Sequence, residues 1–274
     1  MSVHSHIVIG ASSTIGFALC QAWLDQGIKI FGTYRTMSDK VVQLQSRGVE
    51  LIQCENENIG EVIKTAYTKI GQRWSLLTYL PGSLEPIGPF AEVSFTAWQK
   101  SFDLNFTQFI NVIHALYGLH EPDALVLHWA GGGVNNAPTR NNAYTIAKMA
   151  GVKMMELLDA ELPDLRCVSL GPGWLEAPIH DTILAAGPER AGRNYTRTIT
   201  QREAGDTTPL ADVIDTVEWL EKQPKEAIGG RNFSVVHDAW GDNAATHELL
   251  GNKDLFKLRR YGNDNPILQR KKLS

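Results

Sequence analysis

Cysteine is scarce in this chain: Cys20, Cys54 and Cys167 are the only three in 274 residues, far apart and never in a CxxC or CxxH pair. That spacing excludes a disulfide framework and a zinc site, and each thiol sits among apolar neighbours, where it behaves as a small hydrophobe. No apolar run approaches the ~18 residues that span a bilayer. The opening Met1-Ser2-Val3-His4-Ser5-His6 lacks the basic stretch that begins a signal peptide. The expectation is a cytoplasmic protein with no membrane partner and no metal. Positive charge is not in surplus either. Lys and Arg number 26 against 30 Asp and Glu, a net charge of -4, whereas a nucleic-acid binder carries a basic surface. The short basic stretch Arg270-Lys271-Lys272 reads as a solvated tail. Nothing repeats at a fixed period and no Gly/Ser/Pro-rich linker divides the sequence, so one domain is expected over residues 1–274.

What is present is an alternation of short apolar runs and longer helical stretches. Strands are expected at Ile7–Gly10, Ile28–Tyr34, Val49–Cys54, Leu76–Leu80, Ala124–His128, Arg166–Leu170 and Asn232–Val236. Helical periodicity covers Ile15–Gln26, Val41–Arg47, Glu61–Ile70, Phe95–Leu119, Ala143–Glu161 and Leu210–Leu220. Strands separated by helices imply βαβ crossovers and a parallel sheet covered on both faces. The fold class is therefore α/β, a Rossmann-like doubly wound parallel sheet in a single domain.

Between the first strand and helix stands Gly10-Ala11-Ser12-Ser13-Thr14-Ile15-Gly16. A turn of small residues lets the backbone approach a pyrophosphate, which rests on the helix N-terminus where amides and dipole favour an anion. After the second strand comes Arg35, where an acidic residue would accept ribose hydroxyls and select NAD(H). A guanidinium fork instead suits a 2′-phosphate, so NADP(H) is the preferred cofactor and NAD(H) the alternative.

Tyr144 and Lys148 form YxxxK on one face of a helix. They follow the fifth strand and precede a sixth that ends in Leu170-Gly171-Pro172-Gly173, and Asn105 lies in the middle helix. This order of features, from Ile7 to at least Ile179, resembles the short-chain dehydrogenase/reductase family. The resemblance implies that Tyr144 is the general acid/base, that Lys148 lowers its pKa and holds the nicotinamide ribose, and that Asn105 orders a relay water. A phenol with a pKa near ~10 needs such a cation to work at neutral pH. It also assigns cofactor contacts to Gly10, Ser12, Ser13, Thr14, Ile15, Gly16, Arg35, Gly82, Tyr144, Lys148, Pro172 and Gly173. The partner is then a small-molecule substrate. A homodimer or homotetramer is expected through apolar-striped helices around Phe102–Leu116 and Ala143–Leu158.

The sequence departs from the family pattern at four places. The serine that precedes the tyrosine by about thirteen residues is missing. The stretch is His128-Trp129-Ala130-Gly131-Gly132-Gly133, and Ala130 aligns with the serine of members carrying Ser-Gly-Gly-Gly. Losing one such donor costs ~10²–10³ in rate. Thr14 replaces the middle glycine of the turn, Tyr79-Leu80-Pro81-Gly82 replaces Asn-Asn-Ala-Gly, and Ala177 replaces a diphosphate-contacting threonine. Three readings follow: an NADP(H)-dependent oxidoreductase acting on a hydroxyl or carbonyl, a non-catalytic nucleotide-binding or regulatory protein, or an epimerase. Residues 178–208 would form a substrate lid, with His180 a candidate substitute donor. A C-terminal extension is expected over roughly 238–274, and the tail from Gly230-Arg231-Asn232-Phe233-Ser234 through Asp238-Ala239-Trp240 to Leu258-Arg259-Arg260 is similar to a bacterial subgroup of surface-carbohydrate gene neighbourhoods, which nominates a carbohydrate substrate.

Overall fold

The computed structural model describes residues 4–55 and 59–261. The basic tail at 270–272 and the last part of the C-terminal extension lie outside the described residues. Seven strands form one sheet: β1 (Ser5–Ile9), β2 (Lys29–Tyr34), β3 (Glu50–Gln53), β4 (Trp74–Tyr79), β5 (His120–Trp129), β6 (Leu165–Gly171) and β7 (Asn232–Ser234). Their order is β3-β2-β1-β4-β5-β6-β7, and every neighbouring pair is parallel. The doubly wound sheet expected from the sequence is the one observed.

All five residues of β1 are buried. Ile7 and Ile9 enter one apolar layer and Val8 the other, so a strand covered on both faces reads as an unbroken apolar run. One layer is closed by α1 (Thr14–Asp25), α2 (Asp39–Ser46) and, later in the chain, a helix at Leu210–Lys222. The other is closed by α3 (Ile59–Thr68), by the long helical region that begins with α4 (Phe95–Phe102) and continues as α5 (Gln108–Leu116), and by α6 (Asn142–Glu161). The chain then runs through α7 (Asp181–Ala191) and α8 (Arg193–Ala204) to α9, the Leu210–Lys222 helix, followed by α10 (Lys225–Ile228) and α11 (Asn243–Gly251). In α9 the buried Val213, Val217 and Leu220 recur at the spacing of a single helical face. Among the described residues no helix is long and apolar enough to cross a membrane, and no group of three His, Cys, Asp or Glu is placed to hold a metal.

The structure corrects the sequence reading in the middle of the chain. The single helix expected over Phe95–Leu119 is interrupted by a π-helical turn at Asp103–Thr107 and ends at Leu116. Within the turn Asn105 is buried, its amide donating back to the Ser101 carbonyl one turn earlier and across to that of Ser83. Two helices, α7 and α8, to which no helical periodicity pointed, occupy most of residues 178–208; Gly187 (φ +75°) and Pro188 break the first of them.

At the N-terminal edge of the sheet, three cations close helix C-termini. Lys225 Nζ donates to the carbonyls of Asp159, Leu162 and Leu165 (2.7, 2.8 and 2.5 Å) and pairs with the Asp159 carboxylate at 3.3 Å. Arg166 donates to the carbonyls of Leu220, Glu221 and Gln223 at the end of α9. Arg231, 2% exposed, donates to those of Leu249, Asn252 and Leu255 around the end of α11. The last carbonyls of a helix lack intrahelical partners and carry the negative end of its dipole, so cations stabilise them.

Candidate active site

The chain passes from one half of the sheet to the other between β1 and β4, where loops at the strands' C-terminal ends open a crevice. The glycine turn lies there. Gly10 has φ +81°, and a Cβ on Gly16 would stand 2.6 Å from the Gly10 carbonyl oxygen, so the turn closes this tightly only with glycine at both positions. The backbone N–H of Gly10 donates to Thr33 Oγ1 (3.0 Å) and that of Ala11 to the Thr33 carbonyl (2.8 Å), which ties the turn to β2. Ser13 caps α1 by accepting from the Gly16 N–H at 3.1 Å. The amides of Ser12, Thr14 and Ile15 have no protein acceptor among the described residues, and the first turn of α1 holds no acidic side chain. Three free N–H groups at the positive end of a helix are a fitting seat for a pyrophosphate. Arg35 follows β2 two residues beyond Thr33, exposed, its carbonyl accepting from Gln53 Nε2 at 3.0 Å. Its guanidinium is therefore free to meet a phosphate.

On the other side of the crevice, Tyr144 and Lys148 project from the first two turns of α6. Lys148 is 6% exposed, and its Nζ stands 5.8 Å from the centre of the Tyr144 ring. No side chain or carbonyl accepts from this ammonium among the described residues, and burial pulls its pKa down from 10.5 to about 8. The same desolvation pushes the Tyr144 phenol up to about 12. A buried cation without a partner is costly, and a ligand offering hydroxyl oxygens would satisfy it. Asn105 is buried within the π turn. Its Nδ2 donates to the carbonyls of Ser83 (3.0 Å) and Ser101 (2.8 Å), and its Oδ1 accepts from the Ser83 N–H (3.2 Å). The residue thus pins the loop after β4, whose exposed Gly82 would place a Cβ 3.0 Å from the same Oδ1. Pro172 and the exposed Gly173 follow β6 at the same edge of the sheet. The structure thus gathers the predicted residues at one edge.

Of the donor-less stretch that contains Ala130, Gly131 faces the Tyr144 hydroxyl. A Cβ on Gly131 would lie 3.1 Å from Tyr144 Oη and 3.0 Å from its ring. The phenol leans on bare backbone where a donor side chain would otherwise project. The ring of His180, the candidate substitute donor, stacks on that of Trp174 at 4.8 Å, and Tyr144 packs on an apolar group. That group consists of Leu84, Ile87, Ile183 and Ala191 with Ile179, Ala186 and Tyr195. The sequence reading missed it; the signal available was two apolar residues, Leu84 and Ile87, in an otherwise polar loop.

Comparison with known proteins agrees with this geometry. The family described as short chain dehydrogenase matches residues 5–186. An uncharacterised oxidoreductase of Schizosaccharomyces pombe is 25% identical over 182 residues, 65% of this chain and 73% of that protein. A short chain dehydrogenase/reductase from Saccharomyces cerevisiae superposes with a TM-score of 0.77 at 18% identity, over 88% of this chain and 98% of its own. An actinorhodin polyketide ketoreductase solved with NADPH gives 0.72 at 18% identity, over 86% and 97%.

Proposed function

Because the chain belongs to the short chain dehydrogenase family, we propose that it is an NADP(H)-dependent oxidoreductase that interconverts a hydroxyl and a carbonyl. The observation that carries this is Lys148, a buried ammonium beside Tyr144 with no protein partner among the described residues. A binding module has no use for so expensive a group; a proton-transfer site does. The nicotinamide, when bound, supplies or accepts the hydride. Everything else falls to the chain. The free amides of Ser12, Thr14 and Ile15 and the Gly10–Gly16 turn hold the pyrophosphate, with Gly82, Pro172 and Gly173 lining the same edge. Arg35 pairs with the 2′-phosphate, which favours NADP(H) over NAD(H).

Tyr144 Oη gives its proton to the substrate oxygen in reduction and takes it back in oxidation. Its phenol, pushed up by burial, is fully protonated at neutral pH and so is ready as a donor. Lys148 stabilises the phenolate that results. Asn105 fixes the loop after β4, and with it one wall of the cleft. Helices α7 and α8, over residues 178–208, form the substrate lid. A small hydroxylated compound of carbohydrate type fits a cleft walled by serine hydroxyls and cations. The protein is a cytoplasmic homodimer or homotetramer, a reading supported by exposed apolar residues on α4 and α6, including Phe95 (75% exposed), Ile146 and Leu157.

Fluorescence titration with NADPH and NADH tests the cofactor, and carbonyl turnover tests the chemistry. NADPH should bind more tightly than NADH, and Tyr144→Phe should bind it equally while losing turnover by ~10²–10⁴. Failure to bind either nucleotide at millimolar concentration would falsify the proposal.

A further inference from the structure

A cavity of about 550 Å³ lies between the loop after β4, α4 and α7, within the range of small-molecule sites. Two cations line it, Lys100 from α4 and Arg190 from α7, together with Glu85, Ser83 and Ser101. Neither cation forms an ion pair among the described residues. On the next helix, by contrast, Arg202 meets both Glu176 (2.8 Å) and Asp181 (2.7 Å). Arg190 is nonetheless held in place. Its Nε donates to the Ile87 carbonyl at 3.1 Å, and its Nη2 lies 2.7 Å from where a Cβ on Gly88 would stand. A side chain there would displace the guanidinium.

The cavity adjoins the proton-transfer group. Ile87 and Ala186 line it and also belong to the apolar cluster on which Tyr144 packs. Two cations against one carboxylate leave a single net positive charge, which suits one anionic group. Glu85 remains to accept from a hydroxyl or ammonium of the same molecule.

Given the redox role proposed for Tyr144, we infer that the substrate carries an anionic group, carboxylate or phosphate, seated between Lys100 and Arg190 with its reacting carbon toward Tyr144. The pair then selects the substrate by charge, and Arg190 links that selection to the position of α7.

Calorimetric titration of the full chain with glycerate, glycerol 3-phosphate and glycerol, in the presence of NADP⁺, tests this. At least one anion should bind ten or more times as tightly as glycerol, and the better of the two identifies the group. Lys100→Glu and Arg190→Glu should each weaken that anion about tenfold and leave glycerol unchanged. The exposed Lys69→Glu should weaken neither, which separates the site from overall charge. Equal binding of glycerol, absence of anion binding, or indifference to the two reversals overturns the inference. If anions bind as expected but no compound is oxidised by NADP⁺, the redox reading fails and the anion site stands.

Discussion

The two edges of the sheet treat inward-reaching cations in opposite ways. At the N-terminal edge Lys225, Arg166 and Arg231 are partnered, each donating to three carbonyls around a helix end. At the C-terminal edge Lys148, only 6% exposed, has nothing to donate to among the described residues. The difference separates stability from function among basic side chains. A partnered cation belongs to the fold, because its partners were present before any ligand. A bare one marks a site whose partner arrives from outside, and its cost is carried by the rest of the molecule.

The comparison breaks most visibly at Lys148. Lys148→Met should lower turnover by ~10²–10⁴, as expected when the group that assists proton transfer is removed. The same change should raise the unfolding free energy of the cofactor-free protein at pH 7 by about 1–3 kcal/mol, since an unpaired buried charge is replaced by an apolar chain of similar volume. A loss of stability in urea titrations would show that the ammonium has a partner after all.

The next effect is its mirror image. Lys225→Met should cost about 2–4 kcal/mol in the same titration, because three carbonyls and the Asp159 carboxylate lose their donor together. Its kcat should be unchanged. A kcat that fell with stability intact would erase the distinction between the edges.

The pH dependence sharpens the contrast further. Lys148 titrates near 8 in the folded chain against 10.5 unfolded. Between those values the unfolded chain binds the extra proton, so folded stability rises with pH there. Below about 8 both states are charged, and the penalty is constant. The advantage of Lys148→Met should therefore be full at pH 7 and shrink as pH climbs from 8 toward 10.5, which urea titrations at the two ends would detect. In wild type, carbonyl reduction should decline through the same region as the ammonium is lost.

The smallest effect comes from giving the functional edge a donor. Gly131→Ser should raise turnover by less than ~10-fold, below the full worth of such a donor, because the phenol must first shift a few tenths of an ångström to admit the new Cβ. Ala130→Ser should give less. A larger gain at 130 would mean that the residue facing the phenol has been misassigned.

How much of this could be read from sequence follows from where each side chain finds its partners. The strands were legible because burial on both faces leaves runs such as Ile7-Val8-Ile9 uninterrupted. The glycine turn and the Tyr144–Lys148 pair were legible because their geometry is local, within seven residues or one helical turn. The π turn was not, since Asn105 answers to Ser83, 22 residues away. Helices α7 and α8 were hidden by composition: α8 reads RNYTRTITQREA, nearly all polar, with only Thr198 buried. The partnered cations were invisible for a different reason. Their partners are backbone carbonyls, which every residue possesses, and Lys225 reaches across 66 positions to find one. The cavity between Lys100 and Arg190 likewise joins residues 90 positions apart and has no local pattern.

The wide turn at Asp103–Thr107 has a further consequence. An α-helix advances ~100° per residue, so one additional residue in a turn resets the phase of everything after it. Upstream and downstream segments can then obey different schedules. Phe95, Trp98, Phe102 and Phe106 line up as a row of neighbouring rings, while Phe109, Val112, Ile113 and Leu116 face the sheet. Asn105 stands at the changeover. The turn thus lets one continuous helical region carry its aromatic row and its sheet-facing row on separate phases.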